Sequence, residues 1–423
     1  MKPLTDFQEV LSFLPPRSSV VLHSGCAEPR YLAGELARHA GALEDVHVFT
    51  LMPMGEAPYA AAGTEGRLAP VTFHPGKGLR GAANAGRVEV MRTPLGSIPK
   101  LFRDRALTAN VLMLQLSAPD EKGNMSLGIS VDYMRAVLAQ KPLVVAEINP
   151  LMPRTRGDTV IREHEVDFSA PSRNPPQTTP PQPPEEADRR IAEHVAGLIS
   201  NGDVIETGIG SVPDLVLGQL GHLRDLGVHT GIITDPLLAL IEQGVVTNAT
   251  KKEFRGKCVT AMAAGTQPFY DALHENPAIE FHPCSLTHDV DRIAGIDGFC
   301  AINSVLQIDL AGQANAERMG SRIVSAPGGL PDFARGASLA KGGKSIIALR
   351  STSKDGRHGN ILARLAPGTP VAVAAEHIDY VVTEHGVARL TGLDPADRAR
   401  ALTAIAHPDF RADLRRGAGA ETS

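Results

Sequence analysis

Apolar positions in the first 150 residues gather into short unbroken runs, separated by stretches with helical spacing. Ser19 to His23 (SVVLH) reads as a buried strand closed by a turn at Gly25, and residues 29 to 42 (PRYLAGELARHAGA) then set apolar residues at helical intervals. Asp45 to Leu51 (DVHVFTL), Ala109 to Leu116 (ANVLMLQL) and Lys141 to Ile148 (KPLVVAEI) repeat the strand pattern. Fully apolar strands alternating with amphipathic helices predict a mostly parallel sheet covered on both faces.

The pattern breaks at residues 170 to 186 (APSRNPPQTTPPQPPEE). So many prolines remove backbone donors and disfavour both helix and central strand, so this stretch is expected to be a stiff exposed linker or a mobile loop. Residues 187 to 200 (ADRRIAEHVAGLIS) then form an amphipathic helix, and the strand pattern restarts with DVIETGIG, VHTGIIT, GKCVTAMAAG, FCAINSV, SIIALRS and YVVTEHG. The expected organisation is two α/β halves, residues 1–169 and 187–423, with the proline-rich segment 170–186 between them.

A chain of 423 residues fits two or three domains, and its 43 % apolar content fits a buried core. Aromatics are 4 %, Trp is absent and the formal charge is −5, so neither a stacking surface for nucleic acid nor a basic face for phosphate backbones or anionic lipid is expected. Cys26, Cys258, Cys284 and Cys300 are scattered without a CxxC pair and read as buried free thiols in a reducing compartment. No signal-like leader opens the chain and no run reaches the ~20 apolar residues of a membrane span, so a cytoplasmic protein is expected. The 15 histidines show no HxxxH spacing with acidic company, and no metal is expected.

Candidate chemistry lies in the turns after strands. Asp203 to Asp214 (DVIETGIGSVPD) ends a strand in a glycine turn and opens a helix near Pro213, an arrangement that attracts anions but lacks the third glycine of a dinucleotide fingerprint. A second glycine loop runs from Ser325 to Gly336 (SAPGGLPDFARG), where adjacent amides could face a thioester carbonyl. Cys26 and Glu56 each follow a strand, where ligands of open α/β sheets collect, and Arg154, Arg156 and Arg335 could hold a carboxylate. Glu28, Glu147, Glu206 and Glu384 are further carboxylates at or near strand ends. Each of these turns is also compatible with plain turn chemistry.

Taken together, GIGSVPD (208–214), LGVHTGIITDPLLALIEQGVVTN (226–248), AINSVLQIDLAGQANAE (301–317), GGLPDFARGAS (328–338), KGGKSIIAL (341–349), YVVTEHGVARL (380–390) and RARALTAIAHPDF (398–410) resemble the acetyl-CoA hydrolase/transferase family, its 4-hydroxybutyrate CoA-transferases above all. AEINPLMPRTRGDT (146–159) fits the same pattern. The resemblance implies two open, mostly parallel α/β domains of the CoA-transferase type, with the site in the cleft between them. It also implies a glutamyl nucleophile that passes through an acyl anhydride and a glutamyl-CoA thioester, with ping-pong kinetics. CoA contacts carry over to Gly208, Ile209, Gly210, Ser211, Val212, Leu306, Gly328 and Gly329.

One position departs from the family. The usual glutamate falls in Val228-His229-Thr230-Gly231-Ile232, and Gly231 stands where the nucleophile belongs. Glu56 is the candidate replacement, on the expectation that a glycine at 231 leaves room for a carboxylate. The loop Ala326-Pro327-Gly328-Gly329-Leu330 also replaces the family's Gly-x-Gly-Gly-Gln, so an amide side chain is missing at Leu330. The expected function is a CoA-transferase acting between an acyl-CoA and a short carboxylic acid, such as 4-hydroxybutyrate, butyrate or a small dicarboxylate like itaconate or succinate. Cys26, Arg154 and Arg335 are the candidate substrate contacts, no permanently bound cofactor or metal is expected, and the family suggests a homodimer or homotetramer. An acyl-CoA hydrolase and a non-catalytic acyl-CoA-binding member are the alternatives.

Overall fold

A computed structural model describes residues 1–180 and 183–419. The chain packs as two compact units: the first holds Met1–Pro180 and Val259–Thr287, and the second takes the rest of the described residues.

In the first unit, eight strands form one sheet: Lys2–Pro3 (β1), Ser19–Leu22 (β2), Val46–Thr50 (β3), Leu68–Thr72 (β4), Glu89–Val90 (β5), Val111–Ser117 (β6), Leu143–Asn149 (β7) and Phe168–Pro171 (β8). Their order is β1-β8-β7-β6-β2-β3-β4-β5, and every neighbouring pair is parallel. The apolar runs occupy the centre of this sheet; every residue of β6 is buried. Pro70 is tolerated in β4 because the short β5 pairs only with Val71 and Thr72, leaving the proline outside that ladder. Phe49, Phe73, Phe102 and Tyr133 form a ring cluster under the sheet, with Phe73–Tyr133 and Phe102–Tyr133 centroids each 5.5 Å apart.

Helix Arg30–Arg38 (α1) follows β2 and helix Gly76–Asn84 (α2) follows β4. The proline-rich stretch begins inside β8 and does not run free over its described part. Ser172 N–H donates to Ile148 O, Arg30 Nη2 to Pro175 O and Thr179 N–H to Gly265 O, and both Pro176 and Gln177 are buried. Pro181 and Gln182 of that segment lie outside the described residues.

The second unit opens with helix Glu186–Ala196 (α3). Its sheet contains Val204–Thr207 (β9), Gly227–Val228 (β10), Phe299–Ser304 (β11), Lys344–Ala348 (β12), Tyr380–Thr383 (β13) and Gly386–Arg389 (β14), in the order β10-β9-β11-β12-β13-β14. The first five run parallel and β14 closes the edge antiparallel. Helices Ser211–Gln219 (α4) and Leu330–Leu339 (α5) follow the two glycine loops. Phe333 and Ala337 of α5 bury against Val204, Phe299, Ala301 and Ile293, which fixes α5 on the β9–β11 face.

Candidate active site

In the second unit, the family-matched positions gather at the carboxyl ends of parallel strands, where ligands of open α/β sheets bind. Gly208 follows β9, Gly231 lies three residues beyond β10, Leu306 lies two beyond β11 and Glu384 follows β13. Gly210 has φ +130° and is the N-cap of α4, a conformation that L side chains rarely adopt. The turn therefore delivers the first free amides of α4 with no side chain in front of them, a surface suited to phosphate. Ser211 Oγ donates to Asp188 Oδ2 (3.1 Å), and Arg350 donates to both oxygens of the same carboxylate at 2.8 Å, so α3 and the loop after β12 hold the turn in place. Leu306 is half-buried, and its N–H donates to Asn315 O (2.8 Å).

Gly231 meets His288, a residue that no sequence pattern singled out. A Cβ placed on Gly231 would lie 2.9 Å from His288 Nε2 and 3.2 Å from Phe333 Cε2. A Cβ on Gly329 would lie 2.5 Å from the same Nε2 and 3.0 Å from the same ring carbon. One imidazole thus sits against both glycines, held by Phe333 at a ring separation of 4.6 Å. His288 is fully buried, and burial pushes its pKa down to about 3, so the ring is neutral throughout the working range. The room expected beside Gly231 is not there: His288 and Phe333 fill it.

In the first unit, Cys26 and Glu56 follow β2 and β3. Cys26 is buried, and burial raises its thiol to about 11, against a smaller opposing hydrogen bond from Tyr270, so no thiolate is present near neutrality. Its carbonyl accepts Gln177 N–H (3.1 Å). Gln177 O in turn accepts the Tyr270 hydroxyl (2.8 Å), and the Gln177 side chain lies against Gly55. The structure therefore brings Cys26 and the Gly55–Glu56 turn together through a residue of the proline-rich stretch. Arg154 is ion-paired with Glu275 (3.3 Å), and Arg156 Nε donates to Glu275 O (2.9 Å). In the second unit, Arg335 is exposed on α5.

The strand-end carboxylates divide by environment. Burial raises Glu28 to about 8, Glu147 to about 7 and Glu206 to about 8, each against smaller stabilising hydrogen bonds. Glu206 Oε2 accepts Asn303 Nδ2 (2.7 Å), and Glu147 Oε1 accepts Tyr31 N–H (3.1 Å). Glu384 accepts both the backbone N–H and the hydroxyl of Ser351. Glu56 is the exposed member of the set.

A cavity of about 390 Å³ in the second unit is lined by Val204, His229, Lys251, Phe254, Asp289 and Arg292 among others. Among the described residues, no group of three or more His, Cys, Asp or Glu side chains could hold a metal ion, and no helix is long and apolar enough to cross a membrane.

Residues 1–173 match the acetyl-CoA hydrolase/transferase N-terminal domain and residues 265–418 match the C-terminal domain. The chain is 34 % identical over 411 residues to the 4-hydroxybutyrate coenzyme A transferase of Clostridium kluyveri, covering 97 % of this chain and 96 % of that protein. The solved structure of a 4-hydroxybutyrate CoA-transferase from Porphyromonas gingivalis is similar at a TM-score of 0.83 and 33 % identity, over 97 % of this chain and 95 % of that one. RipA from Yersinia pestis is similar at a TM-score of 0.91 and 30 % identity, over 99 % and 97 %. Matched in both domains and along nearly its whole length, the chain belongs to the acetyl-CoA hydrolase/transferase family of enzymes.

Proposed function

We propose that this protein is a CoA-transferase that moves CoA from an acyl-CoA to a short-chain carboxylic acid, with Glu56 as its nucleophile. The observation that carries the nucleophile assignment is the sorting of carboxylates. Glu28, Glu147 and Glu206 are buried and raised toward or above neutrality, Glu384 is engaged by Ser351, and Glu56 is exposed in a turn after a parallel strand. A nucleophilic carboxylate must be reachable by the thioester carbonyl it attacks.

In this scheme the Glu56 carboxylate attacks the thioester carbonyl; the C–S bond breaks, leaving an acyl-glutamyl anhydride and CoA thiolate. The thiolate attacks the glutamyl carbonyl, releasing the first carboxylate and forming a glutamyl-CoA thioester. The acceptor carboxylate then attacks that thioester, and the returning thiolate takes the new acyl group and frees Glu56. Each step conserves the thioester-level bond, so no other energy source enters. The Gly208–Val212 loop is assigned to CoA by its glycine turn and the amides of α4, and Leu306, Gly328 and Gly329 are the further CoA contacts in this reading. Cys26 serves as a neutral wall for the acyl group, and Arg335 is the exposed guanidinium available to a second carboxylate.

The test is CoA exchange between butyryl-CoA or succinyl-CoA and added acids. Acceptor-dependent formation of the second acyl-CoA, with parallel double-reciprocal lines, supports the proposal. Equal thioester loss without acceptor would make the protein a hydrolase. Binding with no turnover on any thioester would reduce it to an acyl-CoA-binding protein.

A further inference from the structure

The proline-rich segment brings one polar side chain to the candidate site of the first unit. Gln177 is 8 % exposed, and its main chain is held on both sides, by Cys26 O and by the Tyr270 hydroxyl. Its side-chain amide lies flat against Gly55: a Cβ there would fall 2.5 Å from Nε2 and 2.9 Å from both Cδ and Oε1. A side chain at position 55 would displace this amide, so the glycine is what lets the amide lie there. Nε2 has no hydrogen-bond partner among the described residues. A buried amide donor left unpaired is costly, and proteins retain such groups where a ligand completes them. A second buried polar atom without a hydrogen-bond partner among the described residues, Glu28 Oε1, lies two residues beyond Cys26 after the same strand.

We propose that Gln177 is a specificity-determining residue whose side-chain amide receives an oxygen substituent, hydroxyl or carboxylate, on the acyl chain of the substrate. The inference rests on the transferase reading for what the acyl chain is attached to, and on the geometry at Gly55 for the contact itself. A plain aliphatic chain leaves Nε2 unpaired, whereas a chain ending in an oxygen pairs it, and that difference discriminates among substrates of equal length. The strap that carries Gln177 is fixed by Arg30 Nη2 on Pro175 O (2.8 Å), Asn149 Nδ2 on Asn174 O (2.9 Å) and Thr179 N–H on Gly265 O (2.9 Å). The main chain that carries the amide is therefore fixed before substrate arrives.

The experiment compares butyryl-CoA, 4-hydroxybutyryl-CoA and succinyl-CoA as donors to the full-length enzyme and to its Gln177→Leu and Gln177→Met variants. The wild-type protein is expected to favour an oxygenated donor by roughly tenfold in kcat/KM, one hydrogen bond's worth, and both variants to lose that ratio. Their melting temperatures should match or exceed the wild type, because an unpaired buried amide is replaced by an apolar group of similar shape. An unchanged ratio in the variants overturns the proposal, as does a wild type without preference. An equal fall on all three donors together with a lower melting temperature assigns Gln177 to structure alone, which also overturns it. If the wild-type protein turns over none of the thioesters, the transferase reading fails by itself, and calorimetric binding of the same three decides on Gln177. A preference in Kd that the variants lose supports the assignment, and equal affinities refute it.

Discussion

Substitution of Gly231 by alanine tests whether His288 and Phe333 fill the space beside this glycine. The backbone there is not left-handed, so alanine brings no conformational strain and its effect is steric. Its Cβ would lie 2.9 Å from His288 Nε2 and 3.2 Å from Phe333 Cε2, and neither neighbour is the end of a flexible chain, since both are rings packed 4.6 Å apart in the core. Overpacking of this kind costs about 1–3 kcal/mol, which for a unit of 150–250 residues lowers Tm by roughly 2–10 °C. Gly329→Ala should cost at least as much, because its Cβ approaches the same nitrogen to 2.5 Å. His288→Ala opens a void beside Phe333 and lowers Tm on its own, but it also removes the obstacle. The double variant Gly231→Ala/His288→Ala should therefore be more stable than the two single losses added together, by about 0.5–3 kcal/mol of coupling. Urea unfolding of the four proteins completes the cycle. A Gly231→Ala protein as stable as wild type, or strictly additive losses, would refute the steric argument. The same contact implies that Gly231→Glu does not restore the family's nucleophile unless His288 moves.

Under the proposed mechanism Glu56→Gln keeps the shape of the side chain and removes the proposed nucleophile; acceptor-dependent transfer should fall by on the order of 10³-fold or more, with acyl-CoA binding measured calorimetrically little changed. Glu206 has a folded-state pKa of about 8, above its unfolded value, so the folded state holds the extra proton between about pH 4.5 and 8 and stability falls as pH rises through that window. Glu206→Gln removes this dependence and still accepts from Asn303; its Tm relative to wild type should climb between pH 5 and 8, by the equivalent of roughly 3–4 kcal/mol, and a constant difference would contradict the burial argument. Gly34 sits inside α1 with nothing within 4 Å of an added Cβ, so Gly34→Ala should stabilise by about 0.5–1 kcal/mol in urea unfolding, and a loss of stability would show that the helix face is not open.

The central strands were legible because burial on both faces leaves a mostly apolar run: β2, β3, β6, β7, β11, β12 and β13 all stand where such runs predict them. β1, β5 and β10 are two residues each, too short for any periodicity, and Pro70 disguises β4. The hydrogen bonds that tie down the proline-rich loop could not be read from its composition, for a physical reason. Proline lacks a donor but keeps its carbonyl, so Pro175 O still accepts from Arg30, and the intervening Ser172, Gln177 and Thr179 supply the N–H groups that tie the stretch down. Gln177 was invisible inside that composition. His288 was invisible for another reason: its importance comes from two glycines, 57 and 41 residues away in sequence, that only the folded second unit places on one ring. The glycine at 231 could be read from the sequence; the imidazole that packs against it could not.

The most direct test of the account is to identify the covalent intermediate. The purified protein would be incubated with succinyl-CoA or butyryl-CoA, treated with borohydride, digested and analysed by peptide mass spectrometry. The account requires a reduced glutamyl thioester on the peptide containing Glu56 and none in the Glu56→Gln protein. Acceptor-dependent turnover with the label on another carboxylate, or with no label at all, would contradict Glu56 as the nucleophile.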